Sequence, residues 1–263
     1  MATLLLEPPP LEQPQLEGEI GHAGRWLVFR YSSVSLFSLK SSRATSTAGK
    51  TLLTPTPYAV KMAFLDAALR HGLAESPDDL VRWLAAASLR IGVPRHACVT
   101  GTIQSVRQET RDVERKRKPD SPPYRSSIAL REVVHHSGTI GAAFDLNTCS
   151  HELIALLLQT APAINYFGKR GGFMQYVSGV RQRDLGLSFT LPVDDLNTGV
   201  PASGHRSMLD DFGARASFDA LNSFTATEVR RNVDRRFVET IIPMEVYNSG
   251  PGFTHYSLSG AML

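Results

Sequence analysis

The stretch that decides the fold runs Trp26-Leu-Val-Phe-Arg-Tyr-Ser-Ser-Val-Ser-Leu-Phe-Ser-Leu39 and, after a polar loop, Thr54-Pro-Thr-Pro-Tyr-Ala-Val-Lys-Met-Ala-Phe-Leu-Asp-Ala-Ala68. Its first part is rich in β-branched and aromatic residues, which is typical of a strand. In the second part Thr56 can cap a helix that starts with Pro57, where a missing N–H costs nothing. His71-Gly72 then offers a stop signal. The stretch predicts the opening β–α unit of an α+β domain.

Further elements are signalled along the chain. Ser76-Pro77-Asp78-Asp79 offers a cap, a proline and acids at the positive end of a second helix. We expect a strand over 97–106, two strands over 128–146 joined by a turn at Ser137-Gly138, and a capped helix over 151–160. The order of these elements predicts a ferredoxin-like sheet with its helices on one face. Single-stranded RNA usually lies on the other face of such a sheet.

The predicted organisation has three parts. Residues 1–19 hold four glutamates, four prolines and no base, so we expect a flexible acidic tail. Residues 20–185 form the ferredoxin-like domain, and residues 186–263 form a small β-rich C-terminal region. Hydrophobic residues at 42% and charged residues at 20% are globular values, which exclude a disordered chain.

Charge and cysteine content limit the classes of function. The formal net charge of +3 is too small to indicate a nucleic-acid partner by itself, so the positions of the bases matter more. Cys98 and Cys149 make no metal framework, and we expect reduced core thiols in a cytoplasmic protein. No apolar run approaches the roughly 18–20 residues that span a bilayer, so no membrane contact is expected.

The segment Tyr166-Phe-Gly-Lys-Arg-Gly-Gly-Phe173 is the first candidate for function. Its glycines let the backbone approach a ligand, Lys169 and Arg170 add positive charge, and the terminal aromatics offer stacking faces. Aromatics interleaved with bases suit single-stranded nucleic acid, in which stacking on a side chain contributes roughly 1–3 kcal/mol per base. The alternative is a surface loop whose aromatics pack inward. The segment lacks the GxxxxGK[ST] arrangement of a P-loop.

A charge run between residues 107 and 118 is the second candidate. It carries six bases against three acids and is followed by Asp120-Ser-Pro-Pro123, so we expect a protruding hairpin or a disordered loop. Its bases suit phosphate contact, with salt-sensitive affinity and no reading of base identity. The alternative is a solvated surface.

Metal and acid–base chemistry have weaker signals. Adjacent side chains on a strand point to opposite faces, so His135 and His136 cannot jointly bind one metal. No HxxxH, HxH or CxxC spacing occurs, and the sequence predicts neither a metal nor a cofactor. A metal-independent ribonuclease needs only a base and a cation. The groups that lie near one another in sequence for this purpose are Tyr58, Lys61 and His71.

Three segments, in this order, resemble the Cas5 family of CRISPR effector subunits. Residues 54–68 resemble the proline-started first helix of that family. Arg125-Ser-Ser-Ile-Ala-Leu-Arg-Glu-Val-Val-His135 resembles its R…LRDV strand, and residues 166–173 resemble the glycine-rich basic segment after its second helix. The resemblance covers about residues 25–185.

The resemblance implies a ferredoxin-like RAMP domain, a protruding thumb hairpin at about residues 104–126 and a smaller β-rich C-terminal region. It also implies a role in antiviral defence. A Cas5-like protein caps the foot of a Cascade complex, grips the 5′ repeat-derived tag of the crRNA, and abuts a Cas7-like backbone subunit and the large subunit. Target DNA would be met only indirectly. On this basis RNA contact is assigned to Lys50, Lys61, Arg125, Arg131, Lys169, Arg170 and Gln175, with Arg111, Arg115, Lys116, Arg117 and Lys118 on the thumb.

Two alternatives to a non-catalytic crRNA-binding subunit stay open from the sequence. One branch of this family cleaves repeat RNA without metal, and Tyr58, Lys61 and His71 would then be catalytic. The second alternative is a scaffold protein that does not contact RNA and whose charge runs are only solvated.

Overall fold

The computed structural model describes residues 24–41, 48–110, 122–198, 203–222, 224–225 and 228–259. The strands within them are β1 (Trp26–Ser33), β2 (Ala48–Gly49), β3 (Leu89–Gly92), β4 (His96–Glu109), β5 (Tyr124–Ser137), β6 (Thr139–Asp145), β7 (Met174–Gln182), β8 (Leu191–Pro192), β9 (His205–Phe212), β10 (Arg235–Ile242), β11 (Met244–Gly250) and β12 (Phe253–Leu258). The α-helices are α1 (Pro57–Arg70), α2 (Pro77–Ala86), α3 (His151–Thr160) and α4 (Phe218–Leu221).

The first sheet has the ferredoxin-like topology. Its strand order is β3-β6-β1-β7, and every neighbouring pair in it is antiparallel. Helix α1 follows β1 and helix α3 joins β6 to β7, so the order β-α-β-β-α-β is complete in β1, α1, β3, β6, α3 and β7. Helix α2 is an addition between α1 and β3. The predicted α+β, ferredoxin-like class is therefore confirmed.

The three predicted helix starts are present because each cap bonds within its own turn. Thr56 accepts from Ala59 N at 3.1 Å through its side chain. Ser76 caps α2 and Ser150 caps α3 in the same way. Each serine Oγ accepts a hydrogen bond from the backbone N–H three residues later. These bonds satisfy N–H groups that have no partner inside a helix.

The helix side of this sheet is covered, and its other face is covered at one end. On the helix side the ring of Phe64 in α1 lies 5.6 Å from Phe29 and 5.2 Å from Phe144, and all three are fully buried. On the other side Trp26 and Val28 pack with Phe189, which comes from the segment after β7. The expected RNA-binding face is therefore closed at its Trp26 end.

The strands predicted over 97–106 and 128–146 are present, but their pairing differs from the one expected for the ferredoxin-like sheet. The second strand of the ferredoxin-like sheet is β3 (Leu89–Gly92), whereas residues 97–106 belong to β4, which pairs with β5 instead. Strands β5 and β6 are not partners, although Gly138 separates them with a φ of 110°. The chain changes sheets at this glycine, because β5 pairs with β2 and β4 whereas β6 pairs with β1 and β3.

The inserted hairpin forms a second sheet, in the order β11-β12-β4-β5-β2. Strands β4 and β5 pair in continuous register from His96↔Ser137 to Glu109↔Tyr124. The predicted thumb at 104–126 is the distal end of this longer hairpin, and its residues 111–121 lie outside the described residues.

Residues after 185 form a third sheet and also add strands β11 and β12 to the second sheet. Strands β8, β10 and β9 form a third sheet, and β9 packs on α1. Pro243 lies between β10 and β11, which belong to different sheets. The boundary near 186 stays a prediction, and the tail at 1–19 lies outside the described residues.

Cys98 and Cys149 are not joined in a disulfide, and both are half-buried. Among the described helices, none is long and apolar enough to cross a bilayer.

Candidate nucleic-acid interface

The glycine-rich loop turns one aromatic inward and leaves its charges outside. Phe167 is fully buried, and its ring centroid lies 4.9 Å from that of Tyr31. Gly168 adopts a φ of 72°, and a Cβ there would lie 3.0 Å from Leu39, so a side chain would be strained. Phe173 is 50% exposed. The two bases between these aromatics, Lys169 and Arg170, are exposed.

Hydrogen bonds hold this loop against the extended segment that follows β1. Ser35 donates through Oγ to the carbonyl of Gly171 at 2.8 Å and accepts from Phe173 N at 2.9 Å. Val34 N donates to the carbonyl of Phe173 at 3.1 Å. The loop therefore has a fixed base, although its tip is solvated.

The same extended segment also contacts β5. Phe37 forms a bridge with Val134, and Ser38 Oγ donates to the carbonyl of Glu132 at 2.9 Å. The carboxylate of Glu132 accepts a hydrogen bond from Thr51 N at 3.0 Å, which holds the backbone at Thr51 against β5. The segment thus joins the glycine-rich loop to the inserted hairpin.

Four basic residues lie on neighbouring segments of backbone beside this extended segment, and we call them the basic cluster: Lys40, Lys50, Arg131 and Lys169. Lys40 pairs with Thr51, the neighbour of Lys50. Gly49 pairs with Arg131, and a Cβ on Gly49 would lie 2.8 Å from the guanidinium Nη1. Lys169 follows Gly168, where a Cβ would lie 3.0 Å from the side chain of Leu39, and Leu39 precedes Lys40. The cluster therefore joins cations from three separate parts of the chain.

His136 fixes the base of the hairpin as a neutral side chain. Its Nε2 lies 2.8 Å from the carbonyl of Leu53, so Nε2 donates, and Nδ1 accepts from Ser33 Oγ at 3.0 Å. Burial lowers the pKa of His136 to about 4, which keeps the ring uncharged at neutral pH. Its neighbour His135 is exposed, as the strand alternation predicts.

Two other predicted RNA-binding residues that the structure describes, Arg125 and Gln175, are exposed on β5 and β7. Arg125 is exposed and lies six residues from Arg131 along β5, which corresponds to roughly 20 Å. Gln175 is exposed at the start of β7, opposite Ser32. The thumb residues Arg111, Arg115, Lys116, Arg117 and Lys118 lie outside the described residues.

The assignment of RNA contact to Lys61 requires a correction, because the side chain is fully buried. Its Nζ lies 2.7 Å from Asp211 Oδ1 on β9, as an ion pair whose angles fall outside hydrogen-bond geometry. Burial lowers the pKa of Lys61, and the Asp211 carboxylate partly opposes that shift. Arg236 donates to the other oxygen of Asp211 at 2.9 Å. Lys61 therefore fastens the C-terminal region to α1 and has no path to a surface ligand.

The three nuclease candidates do not form a common site. Tyr58 packs between Phe212, at 5.3 Å between ring centroids, and the guanidinium of Arg235, 4.5 Å from its ring. Burial raises the pKa of Tyr58, so less of this side chain is in the phenolate form that could accept a proton at neutral pH. His71 caps the far end of α1, ten residues beyond Lys61 and so about 15 Å along the helix. Because Lys61 is buried and His71 lies at the other end of the helix from Tyr58, the three side chains do not meet at one surface site.

Within the residues that the structure describes, no group of three or more His, Cys, Asp or Glu side chains is arranged to hold a metal ion.

Comparisons with known proteins add a set of similar structures. No protein-family model matches the chain, and no curated protein matches it. The crystal structure of a CRISPR protein from Archaeoglobus fulgidus is 12% identical, with a TM-score of 0.41, and the alignment covers 89% of this chain and 92% of that one. A chain of a CRISPR RNA-guided surveillance complex is 15% identical, with a TM-score of 0.37 and coverage of 82% and 90%.

Proposed function

We propose that this chain is a Cas5-like, crRNA-binding subunit of a CRISPR effector complex, which holds the 5′ repeat-derived tag and caps a Cas7-like backbone. The observation that carries the proposal is the basic cluster. It lies on a ferredoxin-like domain with a long hairpin inserted after β3, and three motifs resemble the Cas5 family in the same order.

The positive charge of the cluster suits an anion such as phosphate and does not suit a metal cation. Lys40, Lys50 and Lys169 are exposed. The carboxylate of the nearby Glu132 accepts a hydrogen bond from Thr51 N. Cations on neighbouring segments of backbone can track the phosphates of one strand, and that binding depends strongly on salt. Phe173, half exposed beside Arg170, adds a face on which a base can stack.

We further propose that the chain binds RNA without cleaving it. The reason is that Lys61 is taken up by its ion pair with Asp211, and Tyr58 by its contact with Arg235. Incubation of the protein with repeat RNA in EDTA tests this proposal. A single cut that is lost in Tyr58→Phe or His71→Ala would favour the ribonuclease instead.

The experiment that tests RNA binding is a salt titration with a labelled single-stranded repeat-tag RNA. We expect nanomolar to micromolar binding that weakens as salt rises. In the double variant Lys169→Ala/Arg170→Ala, the loss of two phosphate contacts should reduce the slope of log K against log salt by about 1.4.

A matched control separates this effect from a general loss of charge. Arg82→Ala on α2 removes a side chain that is 72% exposed and lies outside the cluster, so it should leave the slope unchanged. Absence of salt-dependent binding by the native chain, both alone and with its Cas7-like partner, would contradict the proposal. Equal effects of the double variant and the control would instead favour a scaffold without a defined RNA site.

A further inference from the structure

The five-stranded sheet has one covered face and one open face. On its covered face Ala97, Val134, His136 and Met244 are buried against the core. Side chains alternate along each strand, so their neighbours project from the other side. We call this side the open face, and it carries Arg131 and His135 on β5, His96, Cys98 and Thr100 on β4, Phe253 and His255 on β12, and Tyr247 on β11.

Three rings lie close together on the part of the open face that β4, β12 and β11 form. The strand register places His135, Cys98 and His255 in one row across β5, β4 and β12. The ring of His255 lies 5.2 Å from that of His96 and 5.1 Å from that of Tyr247. His255 Nε2 and His96 Nδ1 are 3.2 Å apart, within hydrogen-bond distance. Three rings from three strands therefore form one contiguous group.

A β-bulge places Tyr247 in this group. The register of β11 against β12 shifts between Val246 and Asn248, so Tyr247 is an extra residue opposite β12. A bulge of this kind sets two consecutive side chains on the same face and re-aims them. Tyr247 is 58% exposed and Phe253 is 37% exposed. Their ring faces are therefore accessible from solvent.

The rings continue the surface of the basic cluster. Arg131 lies four residues from His135 along β5, roughly 13 Å, and His255 is two strands further across, roughly 10 Å. In the described parts of the five strands, the one acid on the open face is Glu245, at its outer edge. A single strand of nucleic acid bound at the basic cluster could thus extend to the rings without passing a row of carboxylates.

We propose that Tyr247, His255 and His96 form a stacking platform for bases of single-stranded RNA. The proposal rests on the proposed function, because Arg131 and the rest of the basic cluster would hold the phosphates of the same strand. Aromatic and histidine rings accept unpaired bases by stacking, without regard to base identity. Tag nucleotides would therefore be gripped twice, by charge at the cluster and by stacking at the platform.

The test combines affinity with a local probe. A repeat-tag RNA carries a fluorescent adenine analogue at successive positions, and its quenching is measured with the native chain and with variants. At one position at least, the native chain should quench the analogue. Tyr247→Ala should remove that quenching and weaken binding about 10-fold, and His255→Ala should act in the same direction. Neither should change the salt slope, since no phosphate contact is lost.

Two control variants test the reason for the effect. Tyr247→Phe keeps the ring and should retain both affinity and quenching. Val246→Ala removes a neighbour that is equally exposed, at 58%, but projects from the opposite face; it should also behave as the native chain. Thermal melting of each variant checks that the β11–β12 hairpin is intact.

The outcomes separate this inference from the proposed function. If RNA binds with a normal salt slope and Tyr247→Ala leaves affinity and quenching unchanged, the platform is overturned and the proposed function stands. If the native chain binds no RNA, the proposed function fails and the platform fails with it. If Tyr247→Ala instead weakens binding of the Cas7-like partner at unchanged RNA affinity, the open face is a protein-docking surface and the inference is wrong.

Discussion

The four-stranded and five-stranded sheets differ in how much of each strand is covered. In strand β1 the side chains of Trp26 and Val28 are buried on one face, and those of Phe29 and Tyr31 are buried on the other. In strand β5 the buried side chains are Ala129, Val134 and His136, and Ile128 is 78% exposed. A strand that is buried on both faces serves stability, whereas a sheet with an uncovered face has backbone-fixed side chains available to a ligand.

The largest expected effect tests the enclosed sheet. Phe144→Ala removes a fully buried ring that contacts both Phe29 and Phe64. We expect the free energy of unfolding to fall by about 3–5 kcal/mol, because the lost burial is compounded by a cavity. Urea denaturation measures this change. A loss below about 1 kcal/mol would mean that the two sheets do not differ in packing as described.

The next effect tests the buried ion pair behind α1. Asp211→Ala leaves the ammonium of Lys61 inside the protein without its carboxylate. We expect a loss of about 3 kcal/mol in the free energy of unfolding, because an uncompensated buried charge is costly. Lys61→Met should cost less, since Asp211 keeps its bond to Arg236. Equal losses in the two variants would contradict this role for Lys61.

A smaller effect tests the junction between the sheets through pH. The pKa of His136 is about 4 in the folded chain and about 6.5 when unfolded, so between these values the unfolded state binds more protons. Stability from this residue is therefore complete above pH 6.5 and declines as pH falls toward 4. Between pH 7 and pH 5 we expect a loss of about 2 kcal/mol.

The His136→Gln variant provides the comparison for this measurement. Its pH dependence in urea denaturation should be shallower than that of the native chain by the contribution of one histidine. An identical slope in both proteins would show that His136 is not held neutral by its contacts with Leu53 and Ser33.

The smallest effect tests the uncovered sheet. Ile128→Thr changes a side chain that is 78% exposed and lies on the distal hairpin. We expect a change within about 0.5 kcal/mol, because substitutions away from the core seldom have a larger effect. The same urea denaturation series measures it. A loss of more than about 2 kcal/mol would indicate that this part of β5 is covered.

Sequence patterns predicted what local contacts decide. Thr56, Ser76 and Ser150 each bond within three residues, so their helices could be placed from the sequence. The opposite orientations of His135 and His136 followed from strand alternation. The exposure of Lys169 and Arg170 agrees with their position among glycines.

The candidate site was less predictable, because its members are defined by distant partners. Lys61 lies on a helix that could equally have shown it to solvent, and its burial depends on Asp211, far along the chain. Nothing near Tyr247 or His255 indicates that their strands would join the hairpin of β4 and β5. The signal that could have drawn attention to them is a Tyr and a His on two short strands connected by a Gly-containing turn.

The sequence by itself determined the helix starts, the strand alternation, the class of the fold and the supply of cations. Only the tertiary structure decided that β3 rather than β4 completes the first sheet, that Phe189 closes part of its free face, and that β11 and β12 extend the second. The physical reason is range. A cap or an alternating pattern is satisfied by neighbours a few residues away, whereas strand partners and covered faces are selected by the packing of segments that lie far apart in the chain.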